Sequence, residues 1–149
     1  MKTPKENIIN TLMGKKVLFL ENDNYLDNGL ETLESVLKDA GIQYKVLFNL
    51  SKLPIQTVLD AIKAYDCIVF QTQWVTSISH KLFEFVQSLP EKKLVIEVYI
   101  SEPTWFYHSE VFGHHEVFIY KQDKHHILPD CFYKLTNKPY WEYKNKFDE

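Results

Sequence analysis

The sequence predicts an α/β fold: a doubly wound, mainly parallel sheet of five strands with helices on both faces. Two observations carry that expectation. Runs of consecutive apolar residues such as VLFL at 17–20 and CIVF at 67–70 recur along the chain, without the alternation of a strand that has one wet face. Between them lie segments whose apolar residues repeat at i, i+3, i+4 and i+7. Strands buried on both faces and separated by amphipathic helices give a parallel sheet covered on both sides.

Residues 1–14 read as a short leading helix. Thr3, Pro4 and Glu6 form a capping-box start, Ile8, Ile9, Leu12 and Met13 an apolar stripe, and Gly14 a stop. Val17 to Leu20 is the first strand, followed by the polar loop ENDNYLDNG. The next helix carries Leu30, Leu33, Leu37 and Ala40 on one face, with Asn28 and Glu31 as cap partners and Gly41 as terminator. Tyr44 to Phe48 is the second strand. Pro54 opens a helix striped by Ile55, Val58, Leu59 and Ile62. Cys67 to Phe70 is the third strand, and Ile78, Leu82, Phe85, Val86 and Leu89 stripe the third helix of the repeat before Pro90. Leu94 to Ile100 is the fourth strand. The resulting arrangement is flavodoxin-like, with expected strand order 2-1-3-4-5.

The pattern weakens after Ile100. Only about a dozen residues separate Pro103 from the last strand, Glu116 to Tyr120, near the minimum for a parallel crossover. Either a stunted helix makes that crossover or the strand is antiparallel. The division expected is therefore 1–14 as N-terminal helix, 15–121 as the α/β domain, and 122–149 as a C-terminal extension. That extension carries Phe132, Tyr133, Tyr140, Trp141, Tyr143 and Phe147, so partial helix packed on the sheet edge or on a partner subunit is expected.

Composition narrows the function. The chain has 149 residues and a formal charge of -3, which argues against nucleic-acid binding. All 17 basic residues are lysine, so an anion must be held by lysine, backbone N–H groups or helix ends rather than by guanidinium forks. Cys67 and Cys131 show no C-x-x-C spacing, and no run is long enough to span a bilayer, pointing to a reduced cytoplasmic protein. None of Gly14, Gly29, Gly41 and Gly113 falls in a dinucleotide fingerprint or P-loop spacing, and no G-x-S-x-G elbow occurs. The pairs His114-His115 and His125-His126 each offer at most one ligand to a common centre if they lie on strands, so they read as surface histidines and no metal is expected. Glu97, inside the apolar run LVIEVYI, must be paired, protonated or at a sheet edge.

In a doubly wound sheet the ligand crevice lies at the carboxyl ends of the strands. The candidates there are Glu21, Asn22, Asp23 and Asn24 after the first strand, and Asn49 and Ser51 after the second. Gln71 to Ser77 follow the third, and Ser101 to Trp105 the fourth. A small-molecule ligand in that crevice is the expected partner.

The segment IVFQTQWVTSISHKLFEFV resembles the flavin-ring-binding segment of the flavodoxin-like NAD(P)H:quinone oxidoreductases. Trp74, Ser77, Ile78, Leu82 and Phe85 fall on that family's pattern, and NLSKLPIQTVLDAIKAYD is similar to its lead-in. The resemblance implies FMN, with Asn22, Asn24, Asn28 and the following helix N-terminus supplying donors to the phosphate. Gln71, Trp74, Thr76 and Ser77, with Ser101, Glu102, Thr104 and Trp105, would then flank the isoalloxazine. The loop ENDN departs from the family by being acidic where its phosphate grip uses Ser/Thr and His, and SEPTW replaces a Gly-rich turn.

YDCIVFQ and FIYKQ are similar, in turn, to the third and fifth strands of response-regulator receiver domains. That resemblance places Glu21 and Asp23 at the positions of the metal-binding acids, Lys121 at the lysine and Gln71 at the phosphoacceptor. Glutamine cannot form an acyl phosphate, so the resemblance implies a non-phosphorylated, protein-binding version. Three functions thus stand: a flavin-dependent oxidoreductase, favoured by Trp74 to Phe85; a cofactor-free regulatory module; and a small transferase or hydrolase using Glu97 or Glu102 as acid/base. A homodimer or another protein partner is expected through the aromatic extension.

Overall fold

The computed structural model describes residues 2–21, 30–48, 50–71, 77–99, 114–122 and 128–134. In chain order the elements are α1 (Pro4–Leu12), β1 (Val17–Leu20), α2 (Leu30–Asp39), β2 (Tyr44–Leu47), a short 3-10 turn (Leu50–Lys52), α3 (Ile55–Ala64), β3 (Cys67–Gln71), α4 (Ser77–Ser88), β4 (Leu94–Tyr99), β5 (Glu116–Gln122) and β6 (Pro129–Lys134). The start of α1 forms as its sequence dictates. The Thr3 hydroxyl accepts from the Glu6 N–H at 3.1 Å and donates to Glu6 Oε1 at 3.2 Å, while Pro4 occupies the first turn, where no N–H is needed. Gly14 and Gly41 follow α1 and α2 with φ of 80° and 72°, the left-handed conformation a glycine adopts without a Cβ clash.

The sheet has six strands in the order β2-β1-β3-β4-β5-β6. β1 to β5 run parallel, and β6 is antiparallel to β5. The short crossover after Ile100 therefore resolves as parallel, with Leu94 opposite Glu116 and Tyr99 opposite Lys121. Right-handed crossovers place helices on opposite faces when the chain reverses direction across a sheet. The chain steps one way from β1 to β2 and the other way through β3 to β4, and the core divides to match. Leu33, Val36 and Leu37 of α2 pack on Val17, Phe19, Val69 and Ile96 on one face. Val58 and Ile62 of α3, with Leu82 and Val86 of α4, pack on Leu18, Ile68, Phe70 and Val95 on the other. Helix α1 lies on the α2 face, where its Ile8 and Leu12 share a core with Phe118 and Phe132.

Three expectations are corrected. The sheet has six strands rather than five, because residues 129–134 form an edge strand where partial helix was expected. The reason is period: Phe132 turns to the α1 face and stacks on Phe118 at 5.0 Å, while Cys131 and Tyr133 turn to the other. Pro129 sits at the first position of an edge strand, where its missing N–H costs no ladder bond. The second strand stops at Leu47, and Phe48, expected within it, is 59% exposed. His115, read as a surface histidine, is only 5% exposed.

His115 is central to the amino end of the sheet. Its Nδ1 accepts the Lys93 N–H at 2.8 Å, which leaves the ring proton on Nε2, 2.6 Å from the Val86 carbonyl it donates to. The Lys93 ammonium donates to the Lys63 and Tyr65 carbonyls at 2.9 and 2.7 Å, satisfying the C-terminal end of α3. One ring and one lysine thus tie the ends of α3 and α4 to the starts of β4 and β5. Burial above all, with the charges of His114 and Lys93, holds the His115 pKa below its ordinary value, against the opposing pull of the Val86 bond.

Candidate functional site

Parallel strands deliver their carboxyl ends to one edge, and here β1, β3, β4 and β5 are consecutive neighbours. The reversal of strand order falls between β1 and β3, so the switch point is flanked by the residues that follow Leu20 and Phe70, themselves paired. Glu21 stands just past β1, nearly buried, with its N–H on the Leu47 carbonyl at 3.0 Å. Gln71 ends β3 opposite Val98, and Lys121 lies opposite Tyr99 near the end of β5. Glu21, Gln71 and Lys121 therefore share one edge at nearly one level.

A buried bond closes this edge on the α2 face. The Thr32 hydroxyl donates to Gln122 Oε1 at 2.7 Å, joining the first turn of α2 to the last residue of β5. Sequence reasoning missed both residues. The available signal was alternation: Phe118, Tyr120 and Gln122 share a face, so a polar side chain at the third position needed a partner from the covering helix.

Glu97 is fully buried in β4, opposite Phe70 and Ile119. β4 lies between β3 and β5, which removes the sheet-edge option for this carboxylate. Cys67, also fully buried, has its thiol pKa pushed far up by desolvation, so it is a protonated core side chain and no nucleophile. Both cysteines are free thiols. Among the described residues no three His, Cys, Asp or Glu side chains come together as a metal centre, and no helix is long and apolar enough to cross a membrane.

Most of the proposed flavin contacts fall outside the described residues: Asn22, Asn24, Asn28, Trp74, Thr76, Ser101, Glu102, Thr104 and Trp105. Of the remainder, Gln71 ends β3 and Ser77 begins α4. Glu21, nearly buried, opens the loop that the flavin resemblance assigns to the phosphate, and residues 22–29 of that loop lie outside the described residues. No protein-family model matches the chain, and no curated protein matches it significantly.

Proposed function

We propose that this chain is a cofactor-free, receiver-like regulatory module that acts by binding and is not switched by phosphorylation. The observation that carries the reading is the alignment of Glu21, Gln71 and Lys121 at the ends of β1, β3 and β5. In the receiver resemblance these positions belong to a metal-binding acid, the phosphoacceptor and the lysine. A glutamine amide has no ionised oxygen to attack phosphorus, so the chemistry is lost while the acid and lysine persist. The nearly buried acid, Glu21, is an expected part of this arrangement.

A second reading, an FMN-dependent NAD(P)H oxidoreductase, draws on one feature of its own. Helix α4 begins at Ser77 and turns Leu82 into the core with Phe85 packed against it, the pattern of the flavin-ring segment. Bound flavin would supply hydride transfer, and the chain would bind and orient it. Titrating FMN into the purified protein and recording its absorption spectrum separates the readings. The regulatory reading expects no flavin bands and no binding at micromolar protein. Saturable FMN binding that Trp74→Ala weakens by about 1–3 kcal/mol, the loss of one stacking partner, would replace it with the second.

A further inference from the structure

We propose that the groove between α3 and α4 is the contact face of a reversible homodimer, in which two copies meet about a two-fold axis running between Lys81 and Glu84. The proposal does not depend on the function assigned to the carboxyl edge, because it uses other residues.

The groove follows from what the two helices bury. α3 and α4 lie side by side on one face of the sheet, with Val58, Ile62, Leu82 and Val86 turned down into the core. The next stripe out is left partly in water. Ile55 is 42% exposed, Leu59 and Phe85 are only partly buried, and a groove of about 360 Å³ runs between them with Lys81 and Glu84 on its α4 side. The Lys63 ammonium, at the end of α3, stands 5.7 Å from the centre of the Phe85 ring and steadies one wall. Apolar side chains in a row across two neighbouring helices, bordered by charge, form a surface that gains by being covered.

Charge identifies the occupant as a second copy. The ion pairs among the described residues join Glu116 to Lys92 and Lys134, and Lys81 and Glu84 take part in none of them. These two stand three positions apart on α4, both exposed, with opposite signs. A two-fold axis between them sets α4 antiparallel to the same helix of the second copy, so each lysine meets the other copy's glutamate. The pattern is complementary to itself. A strongly acidic or basic partner would instead leave one of the two facing a like charge. Helices of 10 and 12 residues offer a face only about 18 Å long, at the small end of specific interfaces, which makes the dimer reversible.

Sedimentation velocity of the full-length chain, run from about 1 to 200 micromolar, tests the assignment. The expected result is a concentration-dependent shift from monomer to dimer. Lys81→Glu or Glu84→Lys alone should raise the dissociation constant roughly tenfold, because a symmetric interface loses the contact twice. Lys81→Glu combined with Glu84→Lys in one chain should restore association, and so should mixing the two single variants. Ile55→Gln should weaken the dimer with no change in charge. Thermal melts check that these exposed-site variants keep the fold. A chain that stays monomeric throughout this range overturns the proposal and leaves the groove to a different protein. So does a dimer that Lys81→Glu and Ile55→Gln leave unchanged, since its interface would lie elsewhere, or a double swap that associates no better than the single variants.

Discussion

Ending the chain at Asp130 is expected to give protein that aggregates or melts without a cooperative transition. The deletion takes Cys131 to Lys134 out of β6, and with them Phe132, which is 6% exposed and stacked on Phe118. Losing a buried phenylalanine costs about 3–5 kcal/mol, a large part of the roughly 5–15 kcal/mol that holds a domain together. The core formed by Ile8, Leu12 and Phe118 would also open to water, and β5 would become an apolar edge strand suited to intermolecular pairing. Size-exclusion chromatography and a thermal melt report both effects. Phe132→Ala, in the full chain, should melt cooperatively but lower. A truncated protein that stays monomeric with an unchanged Tm would mean that β6 contributes nothing to the fold.

Acid should loosen the opposite end of the sheet through His115. The folded pKa of this ring lies below its ordinary value near 6.5, so in the window between the two the unfolded chain binds more protons. Its contribution to stability is therefore complete above about pH 6.5 and is lost as pH falls towards the folded pKa. Burial is the main cause, and a proton on Nδ1 would in addition remove the acceptor used by the Lys93 N–H. His115→Leu is expected to cost about 2–4 kcal/mol at pH 7.5, since the Lys93 N–H and the Val86 carbonyl both lose their partner. The same variant should show a flatter dependence of Tm on pH below about 6.5 than the wild type. Parallel pH profiles of the two proteins would count against this role.

The sheet was legible where burial is symmetric. VLFL, CIVF and, Glu97 apart, LVIEVY are apolar on both faces, so period and length alone assign them, and order 2-1-3-4-5 emerged as the first five strands of the observed β2-β1-β3-β4-β5-β6. β6 escaped because its residues are half-buried and short, and aromatics without a long period suit an edge strand as well as a helix. His115 escaped for a related reason: a polar side chain gives no hydrophobic signal, and only the approach of Lys93 and Val86 from distant segments makes its burial favourable. At the site, strand ends could be foreseen from topology, which marked Glu21 and Gln71, whereas Lys121 came only from the receiver resemblance. The Thr32–Gln122 bond links residues 90 positions apart, and no local pattern encodes such a distance.

The most direct test of the receiver-like reading restores what the glutamine lacks. On the receiver-like reading, Gln71→Asp supplies a carboxylate at the end of β3 to act with the two acids that the resemblance assigns to Mg²⁺, Glu21 and Asp23. With acetyl phosphate as donor, that carboxylate would attack phosphorus and acetate would leave. Intact-mass spectrometry should then show one added phosphoryl group on Gln71→Asp, dependent on Mg²⁺ and removed by hydroxylamine, with none on the wild type. A folded Gln71→Asp protein that stays unmodified, or a wild type that takes up phosphate, would contradict the reading.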